Sequence, residues 1–301
     1  MTRVETRARG SVEFREKLEP ATRGRVKLVC DFVNAEVART RTLLIVVGIA
    51  CLVGLVLFPI VTGLFDPRVP VVIVGGVFVF WAVRLRRELA SSYYKVATKR
   101  LVAAIDKQLS YKPVSSLSRK DFGALDLFPP VGKRWSSRHE IGGRVRNAKF
   151  SLHAVSASGA ERAAAVFQGV IVRLDFSAPF KSRTVVFPEG VTAPAAANGK
   201  RDLVLLKNPR FERMFSTYSN DYGDARQLLS AGLMELLVTG PFAAKVSLAF
   251  VRQSLFVAVS GATLLPDVSF FSAPLTPETA TGDVVGLITF ADALAGTVAV
   301  N

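Results

Sequence analysis

The sequence predicts an α+β protein: an N-terminal transmembrane helical hairpin with juxtamembrane helices, then a soluble domain with a mainly antiparallel sheet and a few helices. Three observations predict it. Two uncharged stretches, Leu43–Phe65 and Val69–Val83, lie back to back with only Asp66-Pro67-Arg68 between them. Apolar residues at helical spacing flank this pair on both sides. Further along the chain the period changes to two, in short alternating runs separated by breakers. The expected organisation is a cytosolic N-terminal segment at 1–42, the hairpin at 43–83, a juxtamembrane helix at 84–112 and the α+β domain at 113–301.

Residues 1–20 are polar, and Pro20 and Gly24 punctuate them. Val26, Cys30, Val33 and Val37 then repeat at spacings of four, three and four, the stripe of an amphipathic helix that runs into the first span. A bilayer core of about 30 Å takes roughly 20 helical residues, and Leu43–Phe65 is long enough. Pro59 is a point where that helix would end or kink, since proline cannot donate its hydrogen bond. Val69–Val83 covers only about 22 Å as a helix; snorkelling by Arg68 and Arg84 or local thinning of the bilayer would make up the rest. A buried hairpin in a soluble core and a re-entrant hairpin are the competing readings. Ala50 and Gly54 share a face and, with Gly75 and Gly76, would let two backbones approach closely. After the second span Leu85, Leu89, Tyr93 and Val96, then Leu101, Ile105 and Leu109, keep the helical repeat until Lys112-Pro113.

Residues 113–142 read as a linker or irregular lead-in, because Pro113, Pro129, Pro130, Gly132, Gly142 and Gly143 break regular structure. Phe150, Leu152 and Ala154 alternate with Ser151 and His153 as in a half-buried strand, and Val170, Val172, Leu174 and Phe176 line one face of another. Val185–Phe187 and Leu203–Leu206 are short strand candidates. Phe211, Phe215 and Tyr218 fit a strand or a short helical turn. Asp221–Thr239 is expected to be one helix, capped by Asp221, carrying Asp224 in its first turn and Leu228, Leu229, Leu233, Leu236 and Leu237 on its apolar face; Gly240-Pro241 stops it. Lys245–Phe250 and Leu255–Val259 read as a hairpin around Arg252-Gln253, and a last helix spans Asp283–Leu294.

Charge orients the hairpin. Arg39 and Arg41 precede the first span and Arg84, Arg86 and Arg87 follow the second, so both flanks belong on the cytoplasmic side of the membrane, with both termini cytosolic. The formal charge of +15 is uneven: residues 1–42 hold ten Lys and Arg against six Asp and Glu, residues 84–120 ten against two, and residues 121–301 eighteen against fifteen. The excess sits near the spans, where each base gains about 1 kcal/mol against anionic lipid. Those five arginines are the expected headgroup contacts. Basic-aromatic motifs for nucleic acid are absent. Some forty residues, many charged, precede the first span, against a cleaved signal peptide, and the acidic residues Glu5, Glu13, Glu16 and Glu19 argue against a transit peptide. Two cysteines, Cys30 and Cys51, suit a reducing compartment.

From Phe167 onward the chain resembles a bacterial family of two-pass membrane proteins whose defining domain has no established function. The landmarks are Phe167-Gln168-Gly169, Val185-Val186-Phe187-Pro188 and the run Asn208-Pro209-Arg210-Phe211-Glu212-Arg213-Met214-Phe215, followed by Tyr218-Ser219-Asn220-Asp221, Ala225-Arg226 and Met234-Glu235. The run from Asn208 to Arg226 is the specific part. The family pattern has an aromatic at position 227 and a proline at 231, where this chain has Gln227 and Ala231. The resemblance implies a membrane-anchored cytosolic domain, and it implies no reaction, cofactor or catalytic residue.

The residues themselves offer little chemistry. His139 and His153 are the only histidines and lack zinc-finger spacing. His153 is expected to point to solvent or to the opposite face of its strand. No Gly-x-Ser-x-Gly elbow or Gly-x-x-x-x-Gly-Lys-Ser/Thr loop occurs. No catalytic residue, metal ligand or cofactor is therefore assigned. The best polar candidate is Glu212, Arg213, Asp221, Asp224 and Arg226: it would bind an anion or partner, or serve structure, with Asp221 as the cap and Glu212 or Asp224 paired with Arg226 or Arg213. The sequence favours a non-enzymatic interaction or scaffold module at the inner membrane, touching anionic headgroups and a membrane protein partner or a second copy of itself. The alternative is a membrane-bound enzyme acting on a lipid or envelope precursor.

Overall fold

The computed structural model describes residues 20–62, 68–92, 96–159, 165–191, 201–243, 245–266 and 273–298. The polar stretch expected at 1–19, the loop at Asp66-Pro67, and Tyr93 lie outside them. The chain divides into two compact units, one of residues 20–104 with 266–280 and one centred on 105–265 with 281–301.

In the first unit, helix α1 (Pro20–Thr62) runs unbroken through both the amphipathic stripe and the first apolar stretch, so Pro59 does not end it before Thr62. Val26, Cys30 and Val33 of the stripe are buried. Helix α2 (Arg68–Ser92) packs along α1. The close approach is made at Gly48, where an added Cβ would lie 3.5 Å from the Phe78 ring. Gly54, Gly75 and Gly76, the expected small-residue contacts, have open space there. By length and composition one helix, Thr22–Leu57, can cross a membrane; Val72–Leu85 is a shorter apolar segment. Helix α3 (Thr98–Ile105) ends seven residues before Lys112, so the juxtamembrane helix does not run on to 112. Asp106 Oδ1 accepts from the Gln108 N–H at 2.9 Å and turns the chain. The segment after 266 belongs with these helices: Asn34 donates to the Leu275 carbonyl at 2.9 Å and accepts its N–H at 2.8 Å, and Arg23 pairs with Glu278 at 3.1 Å.

The second unit is a nine-stranded antiparallel sheet. Its strands are β1 (Ser110–Val114), β2 (Val131–Val145), β3 (Ala148–Gly159), β4 (Ala165–Asp175), β5 (Thr184–Pro188), β6 (Asp202–Leu203), β7 (Phe215–Ser219), β8 (Val246–Val251) and β9 (Ser254–Ser260), in the order β1-β2-β3-β4-β9-β8-β5-β7-β6. Alternation dictates its core. Ile141, Leu152, Val172, Val257, Leu248 and Val186 stand side by side across six strands, and none is exposed. Helices α4 (Arg119–Gly123), α5 (Pro209–Glu212), α6 (Tyr222–Leu228), α7 (Ala231–Thr239), α8 (Pro277–Thr281, of the first unit) and α9 (Val284–Thr297) complete the chain. Helix α9 packs on β2, β4 and α7. A second apolar cluster gathers Phe122, Leu125 and Leu127 of the α4 region with Phe167, Phe187 and Phe256 of the strands.

Several expectations need correction. Residues 113–142 are not irregular: they hold the end of β1, a capped turn of helix and most of β2. Pro113 is tolerated because β1 is an edge strand, where a missing N–H breaks no ladder on the open side. Gly143 sits in mid-strand because a Cβ there would come within 2.7 Å of the Phe150 ring. The helix expected over 221–239 is two helices. Ser230 starts the second by accepting the Leu233 N–H at 3.3 Å, while its hydroxyl donates to the Thr297 carbonyl at 3.1 Å. The strand expected at 203–206 stops at Leu203; Glu212 Oε1 takes the N–H groups of Leu206 and Lys207 and draws the chain off the sheet. The hairpin at 246–260 turns through Arg252 in the left-handed region (φ 56°), as placed.

Candidate functional site

The five polar residues singled out in the sequence do not converge. Asp221 caps α6, accepting the Asp224 N–H at 2.9 Å. Asp224 Oδ2 accepts from the Ser182 N–H at 2.7 Å and from its hydroxyl. Glu212 holds the 206–207 backbone, Arg213 donates to the Pro209 carbonyl at 3.2 Å, and the Arg226 guanidinium lies 5.6 Å from the Tyr222 ring centroid. Among the described residues the ion pairs expected between these acids and Arg213 or Arg226 are not formed, and Arg210 pairs with Glu235 at 3.2 Å. Each of these groups completes a cap, a loop or a helix face.

Of the basic residues beside the apolar helices, Arg39, Arg41, Arg84 and Arg87 are exposed; the side chain of Arg86 lies outside the described ones. Arg84 pairs with Glu88 at 3.1 Å and lies 5.6 Å from the Trp81 ring. Arg39, Phe32, Glu36, Thr40, Leu85 and Glu88 help line a cavity of about 410 Å³ within the helical unit.

His153 is fully buried, which the sequence did not foresee. It does leave the apolar row, as alternation requires, but the face it turns to is covered by the 115–128 segment. Nδ1 meets the Ser115 hydroxyl at 2.8 Å and Nε2 the Ser151 hydroxyl at 2.9 Å. Burial pushes its pKa from 6.5 down to about 4, against the opposing pull of Glu140. Glu140, beside it, is raised by burial but lowered overall by Ser116 and Lys112, whose Nζ stands 3.1 Å away. A neutral histidine held by two serines away from solvent is a core group. Among the described residues no three His, Cys, Asp or Glu side chains gather as a metal site.

One arrangement that no local pattern foretold is Asp126 with Arg183 and Arg201. Asp126 sits in the turn after α4, in the left-handed region (φ 55°), which aspartate tolerates better than most residues. Buried Leu125 and Leu127 anchor it on both sides. Arg183 directly precedes β5 and Arg201 directly precedes β6, so strand starts aim both guanidiniums at this turn. Both reach the same oxygen: Arg183 Nη2 lies 3.0 Å and Arg201 Nη2 2.8 Å from Asp126 Oδ2. Arg183 also donates to the Ala124 carbonyl. The Arg201 side chain is only 2% exposed and that of Arg183 29%. Buried Arg183 Nε, Arg201 Nε and Arg201 Nη1 have no acceptor among the described residues. Burial lowers the Arg183 pKa; Asp126 opposes that and Arg201 adds to it. The only sequence signal was an isolated charge beside apolar neighbours, too common to identify a site.

Residues 165–291, from the first residue of β4 into α9, match a family described as "Protein of unknown function (DUF3137)". No curated protein matches the chain. Among solved structures, the chain is similar to the mycobacterial trehalose monomycolate transport factor A, TtfA, at 12% identity over 62% of this chain and 85% of that one, with a TM-score of 0.37. A likeness that distant carries no argument about role.

Proposed function

We propose that this chain is a two-pass protein of the bacterial inner membrane, with both termini cytosolic, whose sheet unit is a non-enzymatic interaction or scaffold module held at the membrane surface. The observation that carries the reading is the outward face of α1. Ile49, Leu52 and Val56 are 56%, 66% and 64% exposed on a helix whose length and composition suit a bilayer. A helix apolar all round needs either a protein core or lipid around it, and among the described residues these side chains have no such cover. Helix α2 adds the second pass, with Val72, Val79 and Phe80 likewise turned outward. Trp81 and Arg84 fit the headgroup level, where aromatic and basic side chains concentrate. Arg39 and Arg41 reach the same level from α1. Tethering raises the effective concentration of the sheet unit for a partner in the same membrane, or for a second copy.

Alkaline phosphatase and green fluorescent protein, fused in turn after Asn301 and inserted at the 63–67 loop, test this topology. The expected result is fluorescence only at the C-terminal position and phosphatase activity only at the loop, with the protein resisting carbonate extraction. Phosphatase activity at the C-terminus, or release by carbonate, overturns it.

A further inference from the structure

The geometry points to a receptor for a phosphoryl group at Asp126, Arg183 and Arg201, a site independent of the membrane topology. Two guanidiniums share a single carboxylate oxygen, so the group carries one uncompensated positive charge. The charge is enclosed, with Arg201 98% and Asp126 85% covered at the side chain. Three nitrogens with hydrogens to donate, Arg183 Nε and Arg201 Nε and Nη1, have no acceptor among the described residues. Buried donors are almost always partnered, and an unpaired cation away from water is among the costlier arrangements a fold can keep. An anion repairs both faults at once, supplying the missing charge and the missing acceptors.

The chemistry of the donors selects the class. Guanidinium forks match the oxygens of phosphate geometrically, two N–H groups to two oxygens. The two guanidiniums leave three nitrogens to engage, and a tetrahedral phosphoryl group offers three or four oxygens in different directions where a carboxylate offers two in one plane. Asp126 adds an acceptor for the hydroxyl of a monoprotonated phosphate. Arg183 is the more exposed of the two arginines and is the side a ligand meets first; the three nitrogens are themselves covered, so the guanidiniums must shift to receive it. The phosphoryl group could arrive free in solution or on a lipid headgroup, and the experiment separates the two.

The test uses the full-length protein in phosphatidylcholine nanodiscs. Its melting temperature is followed while inorganic phosphate is titrated against chloride at constant ionic strength; in a second arm, phosphatidic acid is included in the disc. A rise with free phosphate assigns a soluble ligand, and a rise only with phosphatidic acid assigns a lipid. In either case Arg183→Gln and Arg201→Lys should raise the half-saturating concentration about tenfold or more. Asp126→Asn should lower it about tenfold, because the competing carboxylate charge is gone, while reducing the melting temperature of the unliganded protein. Arg183 is partly exposed, so its variant keeps the test usable should Arg201→Lys fail to fold. No rise from either source, or a rise that both arginine variants retain in full, overturns the assignment and leaves the triad as a static clamp.

Discussion

Leu52 and Leu152 are the same residue in regular secondary structure, and they meet opposite surroundings. Leu52 on α1 is 66% exposed, while Leu152 on β3 is wholly covered by its own chain. The contrast holds for their regions. The helical unit turns apolar side chains outward, and the sheet unit turns them inward. Apolar content alone therefore says little about stability. What matters is whether protein or lipid takes the side chain out of water.

The sharpest way to break this comparison is the same substitution in both places. Leu152→Ala leaves a cavity in the row running across six strands and should cost about 3 kcal/mol of sheet-unit stability. Leu52→Ala should leave that stability unchanged, since no protein packing is lost from the sheet. Thermal unfolding of both variants in one detergent reads the difference. Equal losses would mean that α1 is packed as a protein core, and the membrane reading would go with it.

The next effect is a pH dependence inside the sheet unit. His153 has its pKa held at about 4 in the folded chain, against 6.5 when burial is relieved. Between those values the unfolded chain binds a proton that the folded chain refuses, so stability rises with pH through this window. It is fully present above 6.5 and declines as pH falls toward 4, by roughly 3 kcal/mol in all. Lys112, Glu140, Arg173 and Asp175 also act on this imidazole. Glu140, itself lowered, loses its contribution only below its ordinary 4.5, so the interval from pH 6.5 to 5 isolates the histidines. His153→Gln, which keeps a donor and an acceptor between Ser115 and Ser151, should flatten most of that slope; lowered His139 supplies the remainder. Denaturant midpoints at pH 5 and 6.5 for the two proteins measure it.

These elements also show how far the sequence could be read. Alternation in β3, β4 and the 246–260 hairpin was legible because every second residue of each strand stands on the row shared across the sheet. β2 was not, because its glycines and the prolines ahead of it carry the same letters as a linker. What makes Gly143 a strand residue is the Phe150 ring opposite, and that contact is set by pairing, which local spacing does not encode. His153 was placed off the core face correctly, but its burial depends on the distant 115–128 layer. The Asp126 site was illegible for the same reason: its carboxylate and the Arg201 guanidinium are 75 residues apart and meet only when β6 has taken its place.

The smallest effects divide two residues on a single helix. Asp224 and Arg226 are both charged, two positions apart on α6, and in the sequence they read as one cluster. In the fold Asp224 ties that helix to the start of β5 through the N–H and hydroxyl of Ser182. Asp224→Ala leaves both donors without an acceptor and should cost about 2 kcal/mol. Arg226 is exposed and, among the described residues, meets the face of Tyr222, so Arg226→Ala should cost about 0.5 kcal/mol. Chemical denaturation of the two variants resolves that gap. A loss at Arg226 as large as at Asp224 would mean that the guanidinium has a partner in solution beyond the tyrosine ring, and would return this surface to the list of binding sites.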